Sequence, residues 1–168
     1  MRKSSIIVNF VCPLIAFVAA SVATSSENGE SELKNTVELF VGAATETDPT
    51  ETGPGVGLEY NRRLSELWSI GIEGLELSTN QISRSWVVLI PFYLHPVGGL
   101  SLKLGPGVEG SEEELSDSKE TEHEFLLRAG IGWEFEAGRH WVITPEANLD
   151  FTGSDRTWVY GASVGYRF

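Results

Sequence analysis

From residue 36 to the C-terminal phenylalanine, hydrophobicity alternates with a period of two, in eight runs separated by turn-forming residues. Successive side chains of an extended strand point to opposite faces, so runs of this kind are strands with two different faces. They cover residues 36–44, 55–62, 67–77, 85–95, 100–109, 122–135, 140–151 and 157–168. In the first, Val37, Leu39, Val41 and Ala43 share a face. In the sixth, Phe125, Leu127, Ala129, Ile131, Trp133 and Phe135 oppose Arg128, Gly130, Gly132 and Glu134. The fourth departs slightly, because the face opposite Trp86, Val88, Ile90, Phe92 and Leu94 is also apolar. No helical period competes over this region, so an all-β domain is expected.

The links between runs alternate in length. Residues 45–54, 78–84 and 110–121 form long links, whereas 63–66, 96–99 and 136–139 are short; residues 152–156 form the last. Long and short links then fall at opposite ends of an up-and-down meander, which eight strands close into an antiparallel barrel.

The aromatic residues decide which face points outward. All five tryptophans, Trp68, Trp86, Trp133, Trp141 and Trp158, lie near strand ends and share the face of the Leu, Ile and Val residues. With the first strand rising, Trp86, Phe125, Phe151, Trp158 and Tyr160 collect at the long-link end. Tyr60, Trp68, Trp133, Phe135, Trp141, Tyr166 and Phe168 collect at the other. Amphipathic rings gather in this way at the two headgroup levels of a bilayer. In a soluble lipocalin-like barrel or a sandwich they would have no reason to avoid strand centres. The apolar face is therefore expected to meet lipid, with Trp68, Trp86, Trp133, Trp141, Trp158, Tyr160 and Tyr166 as interface girdles. The other face carries Gly and Ser, and Glu38, Glu59, Glu73, Glu134 and Glu146 with Lys103 and Arg128. These charges are expected to pair inside a lumen that side chains fill.

Composition adds exclusions. A mean hydropathy of −0.06 rules out a bundle of membrane helices, each needing about 20 apolar residues, but not a barrel whose two faces average out. A net charge of −12 without a basic stripe argues against nucleic acid. Much of that charge falls in an expected loop over residues 110–124, where Glu112, Glu113, Glu114, Asp117, Glu120, Glu122 and Glu124 meet only Lys119. Glu112, Glu113, Glu114 and Asp117 are weak candidates for a divalent cation, since their spacing is not that of an EF-hand. No other metal and no cofactor is expected.

At the other terminus, Arg2 and Lys3 precede an apolar run over residues 6–20 and the small residues Ala19, Ala20, Ser21 and Ala23. This is the form of a cleavable secretory signal peptide. Cleavage is placed after Ala23, with Ala20 as second choice. The expected division is a signal peptide over 1–23, a flexible lead-in over 24–35 and a barrel over 36–168. The single cysteine, Cys12, leaves with the leader, and the mature chain carries a charge of −14 because Arg2 and Lys3 leave too.

The chain ends Tyr166-Arg167-Phe168, with apolar residues alternating before a terminal aromatic. This resembles the signal by which the barrel assembly machinery recognises outer-membrane barrels, although Gly161 and Gly165 flank Ser163 where that signature places its glycine differently. With the leader and the eight strands, residues 36–168 resemble the small barrels of the OmpA-transmembrane and OmpX-like group, the outer membrane protein beta-barrel domain family. The resemblance implies a transmembrane barrel in a Gram-negative outer membrane, surrounded by lipid and lipopolysaccharide and assembled through Tyr166 and Phe168. A monomer is expected, with a structural or surface-interaction role through its acidic loops.

Two other functions stay open. Some small barrels modify lipid A with a paired His and Ser near the outer leaflet. His123 is the only histidine at that depth, its neighbour on the same face is Phe125, and a serine would have to come across strands, as from Ser85; His95 and His140 lie at the short-link end. A narrow channel is the other.

Overall fold

The structure, a computed structural model, describes residues 33–47, 50–78, 83–115, 118–153 and 155–168. The expected signal peptide and residues 24–32 lie outside the described residues, as do Asp117 and the side chains over 111–122. The described residues form ten strands and no helix: β1 (Asn35–Glu46), β2 (Thr52–Arg63), β3 (Trp68–Ser78), β4 (Ser83–Leu89), β5 (Phe92–Leu94), β6 (Leu100–Leu115), β7 (Ser118–Trp133), β8 (Phe135–Ala137), β9 (Trp141–Thr152) and β10 (Asp155–Arg167).

Ten strands make eight staves. β5 continues β4 beyond Ile90 and Pro91, and β8 continues β7 beyond Glu134. The interruption at Pro91 follows from its missing N–H, while its carbonyl still accepts from Gly71 N–H at 2.8 Å. Each stave runs antiparallel to its neighbours, and β1 pairs with both β2 and β10, from Thr36↔Arg167 to Glu46↔Thr157. The sheet is thus a closed barrel. Closure removes the sheet edges along the wall, as a strand in lipid requires.

The faces lie as the alternation predicts. Val41 is 61% exposed and Ile131 52%, whereas Arg128 and Asp150 are 0% and 2% exposed. A soluble barrel would show the reverse.

The connections differ from expectation. At the end expected to carry long loops, the ladders continue to Thr45↔Thr52, Ser78↔Arg84, Leu115↔Ser118 and Asp155↔Thr152. The link expected over 110–121 is therefore mostly hairpin. Above a bilayer both faces of a hairpin are wet, so backbone pairing continues where no alternation marks it.

The lumen divides along the barrel axis. Toward the hairpin end, Phe40, Ala44, Leu75, Leu77, Val87, Leu89, Leu126 and Val159 form one buried apolar cluster. Phe40 folds its ring over Gly42 and Gly161, which face each other across β1 and β10; a Cβ on either glycine would meet that ring. Toward the short-turn end the lumen is ionic and polar.

Candidate functional site

The ionic half is assembled from seven of the eight staves. Arg128 on β7 is fully buried; its Nε and Nη2 donate to the two carboxylate oxygens of Asp150 on β9, at 2.6 Å each, and its Nη1 donates to Glu73 on β3. Lys103 Nζ on β6 lies 3.0 Å from Glu73, 3.0 Å from Glu146 and 3.4 Å from Glu59, and 5.3 Å from the centre of the Tyr93 ring. Tyr93 Oη donates to Glu59. Glu146 also accepts from Ser163 Oγ at 2.6 Å and Asn148 Nδ2 at 3.0 Å. Burying two cations is tolerable only with this density of charge-assisted bonds, since an unpaired ion would cost several kcal/mol.

Of the predicted lumen charges, Glu59, Glu73, Lys103, Arg128 and Glu146 meet here. Glu38 faces the same space, lining its cavity, but makes no hydrogen bond or ion pair among the described residues. Glu134, between β7 and β8, lines the same cavity but makes its bonds at the mouth instead. Asp150, Tyr93, Asn148 and Ser163 had not been placed in the network. Their inward parity was visible, but the pairing Arg128↔Asp150 depends on the register of β7 on β9.

At the mouth, Glu134 accepts from Arg167 at 2.6 Å and has Arg63 at 3.7 Å. His95, in the turn after β5, places Nδ1 3.3 Å from Glu134 Oε1 and Nε2 2.9 Å from Ser69 Oγ. The geometry suits a neutral ring that donates from Nδ1 and accepts from the serine. Burial, together with Arg63 and Arg167, lowers the His95 pKa to about 4. Serine, histidine and carboxylate stand in the order of a nucleophilic triad. Here the three side chains tie three staves together at the mouth. Sequence spacing could not show it, because the residues come from separate staves.

His123, the histidine weighed for lipid chemistry, is exposed and meets the Trp86 ring edge-on at 5.6 Å. Ser85 shares the inward face of β4 with the buried Val87, on the opposite side of the wall from His123. Among the predicted girdle residues, Trp68, Trp133, Trp141 and Tyr166 lie outward at the short-turn end, and Trp158 and Tyr160 outward toward the hairpins. Trp141 and Tyr166 pair edge-to-face at 5.2 Å. Phe168 closes the seam, its backbone exchanging bonds of 2.8 and 3.1 Å with Asn35.

The acidic segment is not a loop. β6 and β7 pair in register to Leu115↔Ser118, placing Glu113 opposite Glu120 and Glu109 opposite Glu124. The side chains of Glu112, Glu113 and Glu114, and the whole of Asp117, lie outside the described residues.

Residues 10–168 match the family described as outer membrane protein beta-barrel domain. No curated protein matches the sequence. Solved structures share the fold. Neisserial surface protein A superposes with a TM-score of 0.62 at 9% identity, over 80% of this chain and 96% of that one. The attachment invasion locus protein Ail of Yersinia pestis gives 0.59 at 15%, over 82% and 100%. The N-terminal barrel of Pseudomonas aeruginosa OprF gives 0.58 at 15%, over 80% and 98%.

Proposed function

The chain belongs to the outer membrane protein beta-barrel domain family, a protein of the bacterial outer membrane, and from that premise we propose that it is a sealed barrel that displays an acidic hairpin for surface interaction. The observation that carries this reading is the reach of β6 and β7. β9 stops pairing with β7 at Leu126↔Thr152, and β4 stops pairing with β6 at Ser83↔Glu113. Residues 118–125 thus present a strand edge with no partner among the described residues. An edge of this kind adds a further strand through backbone hydrogen bonds. The acids over residues 112–124 select a basic, extended polypeptide and repel a second copy of the hairpin.

The apolar cluster across the lumen supports a sealed barrel over a narrow channel. The exposed His123, without a serine partner among the described residues, and the clamped His95 favour a non-enzymatic role over lipid modification. We further assign residues 1–23 as signal peptide, Tyr166 and Phe168 as the signal read by the assembly machinery, the outward aromatics as girdles in lipid and lipopolysaccharide, and the monomer as the working state.

The test is binding of a lysine-rich, strand-forming peptide to the barrel in liposomes. We expect saturable binding that weakens with salt and is lost when Glu120, Glu122 and Glu124 become Lys. Equal binding by that variant would refute the role of the hairpin. Planar-bilayer recording should give no steady conductance, and lipid A from cells expressing the protein should keep its acyl pattern.

A further inference from the structure

The outer wall is mostly hydrocarbon, from Leu39 and Val41 to Ile131 and Val164. Toward the hairpins one sector differs. There β10, β1 and β2 turn Arg156, Trp158, Tyr160, Thr45 and Thr52 outward. Register makes these residues neighbours. Thr45 stands opposite Trp158 on one side and opposite Thr52 on the other. Side chains opposed in this way start about 5 Å apart. Thr47 ties in the next rung, donating from its N–H and its Oγ1 to the Arg156 carbonyl at 3.1 and 2.8 Å.

Two features of this sector point to a ligand. Tyr160 Oη, Thr45 Oγ1 and Thr52 Oγ1 form a chain, with steps of 3.3 and 2.9 Å. Three hydroxyl protons serve two internal bonds, so one donor and several lone pairs remain to be offered. The second feature is Arg156, which is exposed and whose guanidinium has no hydrogen bond or ion pair among the described residues. The acids at adjoining positions, Glu46, Glu51 and Asp155, have the opposite parity. A cation on a wall that faces lipid calls for an anion at headgroup level, and a guanidinium fits phosphate best. Trp158, 49% exposed, sets an apolar plate beside it.

We propose that Arg156, Trp158 and the hydroxyl chain bind the headgroup of one phosphorylated glycolipid, the chemistry of lipopolysaccharide. This rests on the girdle reading above, which sets Trp158 and Tyr160 at headgroup depth. In outer-membrane barrels the end opposite the short turns faces the cell exterior. The guanidinium takes the phosphate through two parallel bonds, the indole packs on a sugar ring, and the hydroxyl chain pairs with sugar hydroxyls. A phospholipid would occupy Arg156 and leave the rest unused. The sector lies on β10, β1 and β2, apart from the β6–β7 hairpin, so it does not depend on what that hairpin binds.

The test is native mass spectrometry of the full barrel released from neutral detergent. Bisphosphorylated lipid A, the same lipid A dephosphorylated, or phosphatidylglycerol is added at equal mole fraction. We expect one bisphosphorylated lipid A per barrel, favoured about tenfold over the dephosphorylated form, as a charge-assisted contact gives. A smaller excess over phosphatidylglycerol should accompany it. Arg156→Leu should remove the preference for the phosphorylated form. Thr45→Val with Thr52→Val should remove the excess over phosphatidylglycerol. Heat-modifiable gel mobility shows that each exposed-site variant is folded. Equal retention of all three lipids would overturn the proposal, as would an undiminished preference in Arg156→Leu. Phosphatidylglycerol retained as well as bisphosphorylated lipid A would also overturn it, leaving a contact with lipid phosphate alone. Retention of no lipid at all would overturn the girdle reading together with the site.

Discussion

The two halves of the lumen solve the same packing problem with opposite chemistry. Toward the hairpins, Phe40, Leu75, Leu77, Val87, Leu89, Leu126 and Val159 fill the bore with hydrocarbon. Toward the short turns, Arg128 and Lys103 draw carboxylates from β2, β3 and β9 into one network. An apolar plug tolerates approximate shape, because its contacts are individually weak and non-directional. A buried ionic network tolerates no missing member, because each lost partner strands a charge. The apolar half should therefore fail gradually under substitution, and the ionic half abruptly.

The largest effect should come from the ionic half. Arg128→Met strips Asp150 of its cation and leaves Glu73 with Lys103 alone, and we expect a loss of about 3–5 kcal/mol, measured by urea unfolding in lipid vesicles. Adding Glu73→Gln and Asp150→Asn removes the stranded charges, and most of that loss should return. If the triple variant stays as unstable as the single one, shape and not charge governs this half.

Leu89→Ala opens a void in the apolar half and should cost about 2–5 kcal/mol, with the barrel still folding. A second void at Leu126→Ala should deepen the loss in steps, in contrast to the all-or-none behaviour around Arg128. Outside the barrel, Ile131→Arg sets a charge against the acyl chains and should cost about 2–4 kcal/mol in a bilayer.

The smallest effect is pH-dependent. His95 is held neutral, with its pKa lowered from 6.5 to about 4. The unfolded chain takes up its proton first as pH falls, so stability should decline between about 6.5 and about 4 and level off below. His95→Gln should flatten that part of the pH profile. A profile unchanged by the substitution would mean that the clamp does not govern the mouth.

Much of this arrangement is legible in the sequence, and the unread parts share a physical cause. Parity alone places Leu39, Ile131 and Val164 outward and Glu59, Lys103 and Arg128 inward, because a closed barrel has only two faces. The apolar plug was partly in view: Val87 and Leu89 made the inner face of the fourth run unexpectedly apolar. Phe40, Leu75, Leu77, Leu126 and Val159 carry the same parity on other strands, but only register and stave tilt show that they stand at one height. Ser69, His95 and Glu134 were hidden for the same reason, being distant in sequence and joined only across strands. The β6–β7 hairpin was hidden differently. Where water wets both faces no alternation is selected, so its acids gave the pattern of a loop.

The division of faces is tested most directly by a nitroxide at Leu104. The label is attached to Leu104→Cys in a Cys12→Ser background, since Cys12 is the only natural cysteine, and the barrel is placed in liposomes. Leu104 is 55% exposed on the outer wall. We expect frequent collisions with oxygen, which concentrates in acyl chains, and few with a water-soluble nickel complex. Frequent nickel collisions with few from oxygen would place that wall in water and contradict the membrane-spanning barrel.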